Sequence, residues 1–126
     1  YGSSDNLRSL IYYENKGQGV FELKDGINSP VDGIDLGYDG NTSFADVDGD
    51  GDLDILTSGN NTISYEDSGC ECTIYQDITT ARLFINTGDE FTEALGPEDN
   101  PFATLSLKPK GKLKLIDLDQ DGDFDL

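Results

Sequence analysis

Histidine, tryptophan and methionine are absent from these 126 residues, cysteine occurs twice, and eight Lys and Arg face 26 Asp and Glu. Each shortage excludes something. Without His no Ser-His-Asp or Cys-His centre can be built, and two cysteines alone supply too few ligands for zinc. A net charge of −18 argues against nucleic acid, whose phosphates are met by Lys and Arg. No apolar run approaches the ~18 residues of a membrane span, and no targeting segment is visible. Low-complexity tracts are missing too. Acidic excess can mark disorder, but 35% hydrophobic residues, set in alternating runs between regular turns, point to a folded all-β chain.

What is present is acidic and patterned. Asp46-Val47-Asp48-Gly49-Asp50-Gly51-Asp52-Leu53-Asp54 and Asp117-Leu118-Asp119-Gln120-Asp121-Gly122-Asp123-Phe124-Asp125 both fit D-x-D-x-D-G-D-φ-D, with φ apolar. Carboxylates at every second position of a short loop repel one another unless a cation sits among them. Oxygen-only ligands at this density suit a hard ion, Ca2+ first because it takes six to eight oxygens in flexible geometry. Glycine at the sixth place permits the sharp turn that folds the ligands inward. An EF-hand would need Glu at position 12, where Thr57 stands, and a helix on each side. The flanks are instead strand-like: Thr42-Ser43-Phe44-Ala45 and Asp54-Ile55-Leu56-Thr57 around the first loop, and the alternating Lys112-Leu113-Lys114-Leu115-Ile116 before the second. Both loops therefore join strand to strand.

Phe44 to Leu56, followed by Arg82-Leu83-Phe84-Ile85-Asn86-Thr87-Gly88, resembles an FG-GAP/VCBS-type calcium-binding repeat, the blade unit of integrin-alpha-like β-propellers and of long bacterial surface proteins. Asn28 to Gly37 and Asn100-Pro101-Phe102 are similar to the connectors between such blades. The aromatic-Gly and Gly-Ala-Pro signatures are absent, so the VCBS subtype is nearer. The resemblance implies antiparallel blade-type sheets and two Ca2+ sites. Its ligands would be the side chains of Asp46, Asp48, Asp50 and Asp54 with the carbonyl of Asp52, and those of Asp117, Asp119, Asp121 and Asp125 with the carbonyl of Asp123. An extracellular or cell-surface location is expected, since the acidic surface suits salty, calcium-bearing water.

Spacing sets the phase of the repeat. Tyr12-Tyr13-Glu14-Asn15-Lys16-Gly17 is the counterpart of Leu83 to Gly88, an aromatic strand ending in an Asn-x-Gly turn. Asn15 to Asp46 and Asn86 to Asp117 are both 31 residues apart. Residues 1–45 then read as the end of one blade with its connector, 46–116 as a complete blade with connector, and 117–126 as the start of a following blade. About two blade equivalents result, with the termini splitting one of them. Asp123 to Leu126 followed by Tyr1 to Asn6 matches Asp52 to Asn61 in order, so the ends complete each other. This leads us to expect a repeating unit of a tandem array or head-to-tail assembly of identical copies, completed by strand exchange; a fragment trimmed by accident in register is the alternative. The complete blade is longer than its partner by 16 residues, about 62–77, which read as an extended hairpin around Asp67-Ser68-Gly69. Insertions of this kind often mark a contact surface.

Other residues leave choices open. Cys70 and Cys72 offer a strained local disulfide, bridges to neighbouring subunits or free thiols, with intermolecular bridges ranked ahead of a local one. Sequons occur at Asn41 and Asn60, both in expected turns. Tyr12, Tyr13, Phe21, Phe44, Phe84 and Phe91 read as core, whereas Tyr65 and Tyr75 on the insertion are candidates for glycan stacking. Lys108, Lys110, Lys112 and Lys114 read as a solvated edge that resists aggregation. Carboxylate pairs could serve a glycosidase, but the obvious ones are taken by the expected calcium, so the chain is read as no enzyme. A structural, calcium-stabilised repeat is the leading function, with adhesion or recognition of a glycan or protein as the competing class.

Overall fold

A computed structural model of the chain describes residues 9–105, 107–108 and 111–126. The fold is all-β and antiparallel. Strands β1 (Tyr12–Gly17) and β2 (Val20–Lys24) form a hairpin. Strands β3 (Tyr38–Ala45), β4 (Asp54–Asp67), β5 (Cys72–Asn86) and β6 (Phe91–Ala94) form a four-stranded sheet in sequence order. In the hairpin Glu14 and Glu22 lie opposite each other, a pairing that alone would repel. Lys16 and Lys24 each approach both carboxylates, at 2.9–3.6 Å, and neutralise them.

The first half of β4 is covered on both faces, which is why Asp54 to Gly59 are buried without a break. On one face Ile55 and Phe84, paired across β4 and β5, pack with Val31 and Ile34 of the connector. Leu10, Tyr12, Leu36 and Phe91 close around them. Fully burying a side chain such as Ile55 stabilises by about 1.5–3 kcal/mol. Arg82 locks the edge of this face: Nε and Nη2 hold Glu93 at 2.7 and 2.8 Å, and Nη1 donates to the Asp35 carbonyl at 2.8 Å. Its guanidinium also sits 5.1 Å from the centre of the Phe84 ring. The connector crosses β4 so closely that a Cβ on Gly59 would run into the Leu36 carbonyl. Gly37, at φ +70°, makes the reciprocal approach to Asn60.

The other face is covered by the segment before the second acidic loop. Its alternating Lys112–Ile116 pattern predicts a strand, yet among the described residues this stretch has only an isolated bridge, Ile116 to Asp125. Side chains of the sheet take the backbone bonds that a neighbouring strand would have supplied. Leu113 N–H donates to Ser58 Oγ, Leu115 N–H to Ser43 Oγ, and Asn41 Nδ2 to the Leu113 carbonyl.

Several expectations are placed differently by the structure. The sheet runs across position 45/46, because β3 precedes the first loop and pairs with β4. Tyr13, Phe21 and Phe44 are exposed, not core; for Tyr13 and Phe21 the reason is that β1–β2 is a separate two-stranded sheet with no second sheet laid over it among the described residues. The hairpin expected over 62–77 is there, as the distal arm of β4 and β5, paired from Thr62↔Asp77 to Asp67↔Cys72. The matching of Tyr1–Asn6 to the far end, and Lys110, lie outside the described residues. No helix among the described residues is long and apolar enough to cross a membrane.

Candidate metal centre

The two acidic runs fold into loops with closely similar hydrogen-bond frames. In the first, Asp46 Oδ1 accepts the N–H groups of Gly49 and Asp50 at 2.8 and 3.1 Å, and its Oδ2 accepts Gly51 N–H at 2.9 Å. Asp48 Oδ1 accepts Asp50 N–H at 3.2 Å, and Asp50 Oδ1 accepts Asp52 N–H at 2.8 Å. In the second, Asp117 accepts from Asp121 and Gly122 at 3.1 and 3.0 Å, Asp119 from Asp121 at 3.2 Å, and Asp121 from Asp123 at 2.9 Å. The sixth-position glycines Gly51 and Gly122 adopt φ +97° and +99°, which L side chains rarely tolerate. Such a frame turns successive carboxylates toward one point.

Ligand oxygens of Asp46, Asp48 and Asp50 lie within 4.8 Å of one another, and so do those of Asp117, Asp119 and Asp125. Both sets are all-oxygen and suit a hard cation. Asp46 Oδ1 already accepts two amides, but Asp46 Oδ2, Asp48 Oδ1 and Asp50 Oδ1 accept one each, and an oxygen with two lone pairs then keeps capacity for an ion. Crowding is felt at Asp48. The Asp50 backbone N–H favours its charged form, but desolvation and the charges of Asp50 and Asp54 outweigh this and push its pKa up.

The ninth-position residues are not equivalent. Asp54 is fully buried; Oδ2 accepts Val47 N–H at 2.7 Å and Oδ1 accepts Asn86 N–H at 2.8 Å. It stands outside the Asp46–Asp48–Asp50 group and pins the loop to the turn between β5 and β6. Asp125 Oδ2 accepts Leu118 N–H at 2.8 Å and Asp119 N–H at 3.4 Å. Its Oδ1 has no protein partner among the described residues. Asp52 and Asp123 are exposed, with their carboxylates in none of these bonds. The role of the Asn86 amide was not visible in the acidic motif itself; the signal that could have found it is the fixed Asn-x-Gly spacing.

Other candidates fall away from the loops. Cys70 and Cys72 are joined to each other, with Cα atoms 5.2 Å apart. The intermolecular bridges ranked ahead of this are thereby displaced. The disulfide spans the end of the four-residue turn of the arm and the first residue of β5, where Glu71 at φ +52° reverses the chain. The sequon residues Asn41 and Asn60 lie in β3 and β4, not in turns. Asn reads as a turn former, but here cross-strand partners keep the strand going: Thr79 Oγ1 donates to Asn60 Oδ1 and Asn61 Nδ2 to Thr80 Oγ1. Asn41 Nδ2, the atom a glycan would occupy, is held by the Leu113 carbonyl at 2.7 Å.

Pro101 and Phe102 bring the two loops together around a cavity of about 650 Å³, lined by residues 46–49 and by Gly122, Asp123 and Phe124. Compared with known proteins, the chain matches no family model, no curated protein and no solved structure.

Proposed function

We propose that the chain is a calcium-stabilised structural repeat of an extracellular filament or surface array, built of propeller-type blades and joined to identical units. The observation that carries this reading is the twice-repeated loop frame, in which the same amide bonds orient carboxylates at the same positions. Asp46, Asp48 and Asp50 would hold one Ca2+, with Asp54 and the Asp52 carbonyl beside them. Asp117, Asp119 and Asp125 would hold the second, with Asp121 and the Asp123 carbonyl. The ion supplies the positive charge these crowded oxygens lack.

The sheet supports the blade reading. It is a four-stranded antiparallel meander with the first loop between its first two strands, as the FG-GAP/VCBS resemblance implies. The β1–β2 hairpin then corresponds to the last two strands of a preceding blade, and residues 111–126 to the opening of a following one. Exposed Tyr65 and Tyr75 on the arm favour a second reading, recognition of a glycan or protein.

Calorimetric titration with Ca2+ tests the first reading, with two ions bound per chain as the expected result. Chelation with EGTA should lower the melting temperature, and an unchanged value would contradict both sites. Electron microscopy of the native material separates the classes: fibres repeating once per unit favour the structural role, and discrete discs oppose it.

A further inference from the structure

The Cys70–Cys72 disulfide takes no part in the acidic loops or in the core, and its surroundings give it a chemistry of its own. It closes a loop of three residues at the far end of the arm. The last pairing of β4 with β3 is Tyr38↔Asn60, and β6 reaches no further along β5 than Leu83↔Ala94. From Thr62↔Asp77 to Asp67↔Cys72 the arm therefore has only its own two strands among the described residues. Every residue from Thr62 to Glu71 is exposed, Cys70 included, whereas Cys72 is half-buried at the start of β5.

Linkage sets how firmly such a bond is held. Whatever a disulfide adds to the stability of a fold, the fold returns to the disulfide by the same factor. Here the closed loop is only three residues, for which chain entropy contributes little. Buried Ile55 to Ser58 lie at the other end of the same strands, so breaking the bond uncovers no core. The bond is held little more firmly than in a short peptide, and exposed disulfides of this kind exchange with thiols. The arm also selects among thiols. From Asn61 to Ala81 there is no Lys or Arg, while Glu66, Asp67, Glu71 and Asp77 supply four carboxylates. The Asp67 carbonyl oxygen lies 3.9 Å from Cys70 Sγ as well. An attacking thiolate is itself negative, so this field repels it unless its own molecule carries compensating positive charge.

We propose that the tip of the arm is a thiol–disulfide exchange site for a partner thiol set beside positive charge, a cysteine flanked by Lys or Arg. The incoming thiolate attacks the exposed Cys70 Sγ. A disulfide forms between the partner sulfur and Cys70, and the electron pair of the broken bond leaves on Cys72, which takes a proton from water. The partner sulfur is oxidised and Cys72 is reduced, so the step needs no other oxidant. Cys72 is then the resolving thiol: its attack on Cys70 expels the partner and restores the original bond. The site is a reversible covalent latch. These 126 residues hold no third cysteine, so the thiol belongs to another molecule. A second copy is disfavoured, because its own cysteines stand among the same acids. The inference goes beyond the calcium-stabilised repeat and does not rest on it.

The test treats the full chain with three small thiols that differ in charge: cationic cysteamine, neutral 2-mercaptoethanol and anionic 2-mercaptoethanesulfonate. Samples are quenched in acid, alkylated and weighed by mass spectrometry, with rates expressed per thiolate. At low ionic strength cysteamine should open the bond about tenfold faster than the sulfonate or more. The difference should collapse in ~1 M salt, where the Debye length falls to about 3 Å. Glu66→Gln combined with Glu71→Gln, both exposed, should narrow it at low salt. The first adduct should map to Cys70. At equilibrium with dithiothreitol, the bond should differ from that of an unstructured reference peptide of residues 68–73 by no more than about thirtyfold, the most that so short a loop returns. Equal rates for the three thiols, a difference that survives salt, a first adduct on Cys72 or stronger protection than this would each overturn the proposal. So would a disulfide-linked dimer of the chain accumulating in place of the adducts.

Discussion

The carboxylate of Asp54 holds the backbone N–H of Asn86 at 2.8 Å, tying an acidic loop to a hairpin turn 32 residues away. The second oxygen of Asp54 holds Val47 N–H, so one buried side chain fixes both the loop entry and the sheet beyond it. Asp54→Ala leaves two amides orphaned and should cost about 3 kcal/mol, since hydrogen bonds to charged groups are worth about 1.5–3 kcal/mol each. Asp125→Ala also releases two amides, Leu118 and Asp119, but these are exposed and water takes the place of the lost bonds, so it should cost distinctly less in urea unfolding of the dilute chain. Equal losses at the two positions would contradict this division.

Asp48 should reverse its effect with calcium. Its raised pKa means that the fold disfavours its charged form, so the neutral Asp48→Asn relieves crowding in the metal-free loop. At the proposed calcium site the same change would remove a negative ligand oxygen. The variant is therefore expected to melt above wild type in EGTA and below it in saturating Ca2+, where bound ion stabilises each site by about 2.7 kcal/mol at a hundred times the dissociation constant. Melting curves that keep the same order in both conditions would count against a cation at the first loop.

Much of this is legible in the sequence. Alternation and Asn-x-Gly turns marked an antiparallel all-β chain, and the glycines of the acidic runs marked where the chain bends. The arm over 62–77 and its turn near Ser68 could be read from the 16-residue difference between repeats. What sequence did not disclose depends on contacts between distant segments. Lys112 to Ile116 alternates like a strand, but Ser43, Ser58 and Asn41 capture its backbone instead. Asn60 and Asn61 look like a turn until Thr79 and Thr80 are placed opposite them. Asp54 looks like one acid among many until Asn86 arrives beside it.

Gly59 should be intolerant of any side chain. A Cβ there would overlap the Leu36 carbonyl and crowd the Gly37 Cα, so the connector would have to lift from β4. Gly59→Ala is expected to destabilise by about 3 kcal/mol, at the upper end for overpacking. Gly96→Ala is the control, since the nearest atom to its added Cβ is Glu98 N at 3.9 Å. Similar melting temperatures for the two variants would show that the connector yields easily.

Acid should weaken the Arg82–Glu93 clamp. The hydrogen bond from Arg82 holds the Glu93 carboxyl below its ordinary value of 4.5, with Coulomb attraction to Arg82 adding to it against desolvation. A lowered folded pKa contributes stability that is present above the unfolded value and lost as pH falls through the folded one. Wild type should therefore exceed Glu93→Gln at pH 7 by about 1–2 kcal/mol, a charge-assisted pair discounted for partial exposure. The gap should narrow below pH ~4.5. A gap that stays constant down to pH 3 would assign the effect to packing.

Reduction of Cys70–Cys72 should loosen the arm and spare the sheet. The disulfide closes a loop of only three residues at the arm's turn, for which the chain-entropy relation gives about 1–2 kcal/mol. Between that turn and the core stand the polar pairs Thr62–Asp77 and Thr73–Glu66, at 2.7 and 2.8 Å, both exposed and individually weak. Buried Ile55, Leu56, Thr57 and Ser58 lie at the far end of the same two strands. Amide hydrogen exchange should accordingly quicken over Thr62–Asp67 and Cys72–Asp77 after reduction, with Ile55–Ser58 unchanged. Faster exchange throughout β4 would instead show that arm and sheet open as one cooperative unit.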